Sequence, residues 1–164
     1  MTGEPYATHL TEVAALVAEA GEREGWGNAD AVCAAFLHDA VEDGLIVPDA
    51  LAREHGERVA DLVRPLTDEP DWDDLPTRRK KALQAERIAG ADADAKRIKI
   101  ADQTSNCRHR ARTMAPRDPR KMADYLAGAR GIVDRCRGAS PWLEARFDEA
   151  AGMMERELRG TTAA

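Results

Sequence analysis

The spacing of apolar residues along the chain predicts helices from one end to the other. In the first predicted helix, over residues 9–20 with Thr8 as its cap, apolar residues recur at three- and four-residue intervals: Leu10, Val13, Ala14 and Val17. The same periodicity, bounded by proline and glycine, predicts further helices over residues 30–43, 48–55, 57–66, 76–88, 94–113, 119–137 and 141–159. Residues 21–27 are a predicted break, and residues 67–76 a predicted exposed connection. Runs of alternating β-branched residues are missing, so we expect an all-α bundle.

Length and composition indicate the number of domains and the cellular setting. The chain has 164 residues, of which 4% are aromatic, and this suits one domain over residues 1–159 with a flexible tail over residues 160–164. No apolar run approaches the roughly 18 residues that span a bilayer, so we expect a soluble, cytoplasmic protein. Cys33, Cys107 and Cys136 are odd in number and widely spaced, which predicts reduced thiols, with Cys33 in the core.

The predicted helix over residues 30–43 has two contrasting halves. At about 100° per residue, apolar side chains fill one half of the helix: Val32, Cys33, Phe36, Leu37, Ala40 and Val41. The other half carries four polar side chains close together: His38, Asp39, Glu42 and Asp43. One and two turns upstream, this polar half holds Ala35 and Ala31, whereas a solvent-facing helix would carry charged residues there. We therefore expect the polar side chains to pack against protein.

These four polar residues indicate a metal-binding or catalytic site. Unpaired carboxylates and a histidine are costly to bury, so such groups usually enclose a metal ion or reacting atoms. Acids are also poorly placed in the last turn of a helix, which prefers cations. Because the adjacent His38 and Asp39 can hold one transition metal with both side chains, hydrolysis of a phosphate ester is the leading hypothesis.

A second informative stretch lies in the middle of a later predicted helix. Asp102 and Asn106 are four residues apart and stack on one face, with Ile98 one turn before them. A carboxylate in line with an apolar turn predicts burial. Taken alone, Asp102 is more typical of a surface or capping acid. Its importance comes from His38 and Asp39, which leave most of a metal's coordination shell to be filled.

The order of these residues resembles a known family. His9, the pair His38-Asp39 and the distant Asp102 are similar to the signature of the HD superfamily of metal-dependent phosphohydrolases. The wider sequence resembles the hydrolase domain of RelA/SpoT-type alarmone enzymes, and most of all the short stand-alone, SpoT-like hydrolases. The likeness takes in Gly-Glu-Pro-Tyr at 3–6, His-Asp-Ala-Val-Glu-Asp at 38–43, Leu-Thr-Asp-Glu at 66–69, Leu-Pro at 75–76, residues 79–86, and Ile-Lys-Ile-Ala-Asp at 98–102 followed by Asn106. The resemblance implies the HD-domain helical bundle as the fold.

The resemblance also implies roles for single residues. Four side chains would hold a divalent ion, typically manganese: His9, His38, Asp39 and Asp102. Glu42 and Asp43 would position and deprotonate the attacking water. Four further residues would contact the substrate: Asn106, Tyr125, Arg78 and Lys80.

Three departures from the family pattern fall on the substrate side. The chain begins just before residues 3–6, so we expect the preceding helix, which carries nucleotide-binding basic residues in relatives, to be missing. Thr77 stands where related stand-alone hydrolases have a lysine, with Arg78 beside it. Residues 103–105 and Cys107 also replace more usual residues near the pocket. The residues implied for metal and water are complete, whereas the substrate contacts differ.

Charge is unevenly distributed along the chain. Residues 76–112 contain eleven basic and four acidic side chains, a net charge of +7, so the rest of the chain carries −13 to reach the total of −6. An anionic substrate would be attracted to the basic segment. No aromatic platform is interleaved with it, so nucleic acid is not an expected partner.

The sequence therefore predicts a manganese-dependent pyrophosphohydrolase that removes the 3′-diphosphate from guanosine tetra- or pentaphosphate. One alternative is a phosphohydrolase of the same fold that acts on another nucleotide, such as a 2′-phosphorylated dinucleotide. Another is a module that binds metal and nucleotide without turnover, although binding alone does not need Glu42 and Asp43. The expected partner is a small-molecule nucleotide, with no membrane partner, and homo-oligomerisation stays open.

Overall fold

The computed structural model describes residues 6–113 and 118–162 of the chain, and within them it contains eight α-helices and no strand. The predicted all-α class is confirmed. The helices are α1 (Tyr6–Glu24), α2 (Ala29–Leu37), α3 (Pro48–His55), α4 (Glu57–Val63), α5 (Thr77–Ala89), α6 (Ala93–Thr113), α7 (Pro119–Asp134) and α8 (Pro141–Thr162). Two short 3₁₀ turns, Arg64–Leu66 and Pro70–Trp72, lie between α4 and α5.

Helix α6 is the axis around which the bundle is built. It packs along α8 and α1 and also contacts α2 and α7, while α5 lies along α7. Its Ile98, Ile100 and Ala101 are fully buried. The next four residues are polar and buried too: Asp102, Gln103, Thr104 and Ser105. Because buried polar groups are costly unless they are hydrogen-bonded, these four side chains require partners inside the bundle.

Helix α2 ends earlier than the sequence predicted. Its start is capped by Asn28, whose side chain accepts the Asp30 N–H at 3.0 Å, but the helix stops at Leu37 instead of residue 43. Residues 38–44 form turns, and Gly44 has a φ of +68°. Continuing the helix would place three acids at its negative carbonyl end, which explains why that prediction is wrong.

The buried face of α2 also differs from the prediction. Ala31, Ala34 and Ala35 are fully buried, whereas Phe36 is 44% exposed and Cys33 is half-buried. The predicted inward position of Phe36 is therefore wrong, whereas Val32, Cys33 and Leu37 are partly buried and pack against the core, as predicted. Alanines allow α2 to lie close against α1 and α4, and exposed large apolar residues are common enough that size alone does not identify the inner face.

Helix α1 is longer at both ends than predicted. It begins at Tyr6, so Thr8 lies inside the first turn and its predicted role as cap is wrong. It continues to Glu24, and the chain then folds back so that the N–H groups of Trp26 and Gly27 both donate to Gly21 O at 3.1 Å. A Cβ on Gly21 would lie 2.9 Å from the Gly27 backbone, so this close return requires glycine.

The remaining boundaries agree more closely with the sequence. Helix α3 covers the predicted residues 48–55, and α5 and α6 begin within one residue of their predicted starts. Helix α8 continues through Thr162 into the segment predicted as a tail, of which residues 163–164 lie outside the described residues. In the part of the chain that the structure describes, no helix is both long and apolar enough to cross a membrane. Cys33, Cys107 and Cys136 are free.

Candidate metal centre

Four side chains meet at one point of the bundle. His9 comes from α1, His38 and Asp39 from the turn directly after α2, and Asp102 from α6. His9 Nε2 lies 3.4 Å from His38 Nε2, 3.6 Å from Asp102 Oδ1 and 3.8 Å from Asp39 Oδ2. His38 Nε2 lies 3.1 Å from Asp39 Oδ1 and 3.8 Å from Asp102 Oδ1. The structure thus brings together the four residues for which the sequence implied a shared ion.

The spacing of these atoms suits a metal ion. Ligand atoms of His9, His38 and Asp39 all lie within 4.8 Å of one another. Around an ion with bonds of about 2.1 Å, neighbouring ligand atoms stand about 3.0–3.4 Å apart, close to the distances found here. His38 Nδ1 donates to Ala35 O at 2.8 Å, so in the neutral ring Nε2 presents a lone pair to the other donors. A lone pair and two carboxylates around one point need a positive charge between them, and the residues present fit a divalent ion.

Asp102 is the most firmly held member of the group. It is only 5% exposed, and its Oδ2 receives Gln103 Nε2 at 2.7 Å and Lys99 Nζ at 3.2 Å. Its Oδ1 receives Asn106 Nδ2 at 2.5 Å, as expected for residues stacked four apart. Burial opposes ionisation, but Lys99 and the two histidines outweigh it and hold the pKa of Asp102 below its usual range.

Asp39 has a different electrostatic setting. Its side chain is 30% exposed, against 7% for Asp102. Burial, together with the neighbouring Asp102 carboxylate, raises the pKa of Asp39, although His38 acts in the opposite direction. Two carboxylates facing one point repel each other, and a divalent cation would remove that repulsion.

Glu42 and Asp43 lie in the turns after α2, where both residues are exposed. The prediction that they pack against protein is therefore wrong for these two acids, although it holds for His38. Glu42 Oε2 accepts the Asp68 N–H at 3.2 Å, and Lys80 Nζ lies 3.9 Å from Oε1. Partial burial and the Asp68 carboxylate raise the pKa of Glu42.

Asp68 connects this turn with α5. It is buried, although it belongs to the connection that the sequence predicted as exposed, and it lies 3.1 Å from Lys80 Nζ and 2.6 Å from Gln84 Nε2. Beside it, a cavity of about 860 Å³ opens between the turns after α2, helices α3 and α4, and residues 67–73. Glu42 and Asp68 both line this cavity. The sequence offered only the motif position of Asp68, and its burial depends on α5.

The four residues implied for the substrate each have different surroundings. Asn106 contacts Asp102, and Lys80 lies near Glu42. Tyr125 is buried, with its ring centroid 4.5 Å from Lys81 Nζ and 3.8 Å from the Arg110 guanidinium, and burial raises the pKa of its hydroxyl. Arg78 is exposed and lines a separate cavity of about 430 Å³ between α5 and α7.

Several residues near the ligands were missed by sequence reasoning. Lys81 is buried and donates to Gln103 Oε1 at 3.0 Å, so a second lysine stands behind Asp102. Burial, with Lys99 nearby, lowers the pKa of Lys81 to about 8. Ser105 and Glu12 lie behind His9. The only sequence signal was the unbroken polar run at 102–106 in a helix whose preceding turn is apolar.

A comparison with protein-family models identifies the chain's relatives. The model described as "HD domain" matches residues 1–127. This chain belongs to the HD-domain family. The guanosine-3′,5′-bis(diphosphate) 3′-pyrophosphohydrolase MESH1 of Drosophila melanogaster is 31% identical over 146 residues, covering 88% of this chain and 78% of the relative. Its human counterpart, which bears the same name, is 31% identical over 87% of this chain and 76% of its own length.

Solved structures agree with these relatives. A structure described as a metazoan orthologue of SpoT that hydrolyses ppGpp has a TM-score of 0.76 and 28% identity, covering 94% of this chain and 83% of its own. A Listeria monocytogenes protein has a TM-score of 0.71 at 25% identity. The predicted family is confirmed, and membership in the HD-domain family with these relatives identifies a metal-dependent phosphohydrolase that uses a divalent ion.

Proposed function

We propose that this HD-domain protein hydrolyses guanosine 3′,5′-bis(diphosphate) to GDP and pyrophosphate with the help of manganese. The observation that carries the proposal is the meeting of two imidazole Nε2 atoms, 3.4 Å apart, with the carboxylates of Asp39 and Asp102. The relatives named for this reaction match most of the chain, and the range 1–127 matched by the HD-domain model contains all four residues. A water oxygen attacks the phosphorus that is bound to the 3′ oxygen, and the bond between that phosphorus and the 3′ oxygen breaks. The 3′ oxygen takes up a proton to become a hydroxyl, and pyrophosphate is released.

The four converging side chains are the proposed ligands. Two nitrogen and two carboxylate donors make a mixed set that manganese accepts well. A bound divalent ion would lower the pKa of a water molecule and offset negative charge on the diphosphate. The protein supplies a fixed geometry: Lys99 and Gln103 orient Asp102, and the Ala35 carbonyl orients His38.

Glu42 and Asp43 are the proposed acids for the attacking water. Their side chains are exposed at the site's edge, so water reaches them without a path through the core. The Asp68 N–H fixes Glu42 Oε2, and the raised pKa of Glu42 brings this carboxylate nearer to the range in which a general base works. Glu42 or Asp43 then accepts the proton that the water loses.

Lys80 and Asn106 are the proposed substrate contacts nearest to this chemistry. Lys80 Nζ lies among three acids, Glu42, Asp68 and Asp73, so its charge is held beside the proposed general base Glu42. Lys80 would offer a cation to a phosphate oxygen there, and Asn106 would offer its amide beside the proposed ligand Asp102. Substrate binding by Tyr125 and Arg78 stays a prediction.

The test is product analysis with the purified protein. With manganese present, we expect guanosine 3′,5′-bis(diphosphate) to give GDP and pyrophosphate in equal amounts, and a chelator to stop the reaction. A panel of other nucleotides, including a 2′-phosphorylated dinucleotide, is assayed in parallel for orthophosphate. Turnover of another nucleotide without pyrophosphate from the guanosine substrate would overturn the substrate assignment. Binding without turnover of any nucleotide would overturn the enzyme assignment.

A further inference from the structure

A chain of hydrogen bonds runs from His9 away from the candidate metal centre. His9 Nδ1 lies 3.0 Å from Ser105 Oγ, and Ser105 Oγ lies 2.6 Å from Glu12 Oε2. Arg108 completes the chain by donating to Glu12 Oε1 at 2.8 Å. Glu12 follows His9 by one turn of α1, and Arg108 follows Ser105 by one turn of α6. The chain therefore bridges the two helices that supply His9 and Asp102.

The direction of these hydrogen bonds follows from Glu12. An ionised carboxylate only accepts hydrogen bonds. Burial opposes its ionisation, but Ser105 and Arg108 together hold the pKa of Glu12 below its usual value. Ser105 must therefore donate its hydroxyl proton to Glu12, which leaves the Ser105 oxygen as an acceptor. His9 then donates from Nδ1, and its Nε2 carries the lone pair that faces His38 and Asp102.

The two histidines are thus oriented by different means. His38 donates its Nδ1–H to a backbone carbonyl, Ala35 O, which no side-chain substitution removes. Among the described residues, the partner of His9 Nδ1 is a side chain, Ser105 Oγ. Ser105 is 2% exposed, so water does not readily replace its hydroxyl as the acceptor. Without the Ser105 hydroxyl, the proton of the neutral His9 ring could move to Nε2. Nε2 would then have no lone pair with which to bind a metal.

We infer that Ser105 and Glu12 are positioning residues that hold His9 in the orientation and tautomer required of a metal ligand. The inference rests on the proposed function in one respect, namely that His9 is a metal ligand. Removing a hydrogen-bond partner of a metal-binding histidine typically lowers metal affinity by about 10–100-fold. Because both residues act through one chain, their effects should not add.

The test measures manganese affinity by calorimetry, without substrate, in Ser105→Ala, Glu12→Met and the double variant. We expect each single variant to bind about 10–100-fold more weakly than the wild type, and the double variant to be no weaker than either single one. Glu12→Gln keeps an acceptor for Ser105 and should recover part of the affinity. Glu19→Gln, an exposed residue of α1, is the matched control and should bind as the wild type does.

A second readout is the ¹⁵N spectrum of the metal-free histidines. His9 should carry its proton on Nδ1 in the wild type and shift towards Nε2 in Ser105→Ala, with His38 unchanged, and loss of packing alone would not produce this pattern. Affinities within twofold of the wild type, or an unchanged His9 tautomer, would overturn the inference. Both readouts omit the nucleotide, so a wild type that behaves as expected here but releases no pyrophosphate contradicts only the proposed function.

Discussion

The acidic residues around the candidate metal centre come from two regions that differ in burial. Asp102 lies on the buried stretch of α6, where Lys99, Gln103 and Asn106 hold both of its oxygens. Glu42 and Asp43 lie in exposed turns just beyond the end of α2. A ligand that must hold a charge in a fixed position gains from a rigid, buried support. An acid that exchanges protons with water must be reached by water. The difference in burial supports the proposed division, in which Asp102 binds the ion while Glu42 and Asp43 act on water.

The strongest test of this division is Asp102→Asn. We expect the protein to lose its metal and its pyrophosphate release to fall by about 10³-fold or more, because the ion and its chemistry are lost together. The buried Lys99 would also lack an ionised partner, at a cost of about 3 kcal/mol in unfolding free energy. Metal content by mass spectrometry and activity are measured on protein that circular dichroism shows to be folded.

The control for this variant is Asp71→Asn, which changes an exposed acid in the Pro70–Trp72 turn. It should keep both metal and activity. An Asp102→Asn protein that retains its metal and its turnover would remove Asp102 from the ligand set.

The complementary change is Glu42→Gln combined with Asp43→Asn. Metal content should stay at the wild-type level, whereas turnover should fall by about 10²–10⁴-fold, as expected for loss of a general base. The same two measurements apply, with the exposed Glu54→Gln in α3 as the control. Loss of metal in the double variant would show that Glu42 or Asp43 also holds the ion, and the division proposed here would be wrong.

The buried side can be probed through Lys81, which stands behind Asp102. Burial lowers the pKa of Lys81 from its ordinary 10.5 to about 8. Between these values the unfolded chain binds more protons than the native one, so this lysine makes stability rise with pH from about 8 to about 10.5. The full effect is on the order of 3 kcal/mol. Denaturant unfolding gives the unfolding free energy of the wild type and of Lys81→Met at each pH. The difference between the two free energies should change across this pH range, and parallel pH profiles would contradict the prediction.

The smallest expected effect concerns the packing that keeps Lys81 in place. A Cβ on Gly128 of α7 would lie 2.6 Å from both Cβ and Cγ of Lys81, so Gly128→Ala should lower the unfolding free energy by about 1–3 kcal/mol. Gly131, one turn further along α7, has nothing within 4 Å of such a Cβ. Gly131→Ala should therefore stabilise α7 by about 0.5–1 kcal/mol. Equal effects of the two substitutions in thermal unfolding would show that α5 and α7 do not meet closely here.

Some features of the site were predictable because they are local. Asp102 and Asn106 are one turn apart, so their contact follows from helical spacing. The alanines at 31 and 35 correctly placed His38 against protein. The burial of Asp68 was not predictable, because it depends on Lys80 and Gln84 of a later helix.

Other predictions failed for a physical reason that the residues make clear. The larger apolar side chains of α2 indicated an inner face that included Phe36, but Phe36 is exposed and the most deeply buried residues of the helix are its alanines. Inner faces are chosen by how closely neighbouring helices can approach, and that depends on α1 and α4. The end of α2 at Leu37 likewise reflects a balance between helical periodicity, which favours continuation, and the acids that follow.

The sequence by itself determined the helical class and most helix positions, because periodicity and capping are properties of neighbouring residues. The order of His9, His38-Asp39 and Asp102 indicated the candidate metal centre through a family resemblance. Only the tertiary structure decided which side chains support that centre. Ser105 and Glu12 are 93 residues apart, and Lys81 and Gln103 are 22 apart. Contacts between separate helices depend on how the whole bundle packs, and no local pattern carries that information.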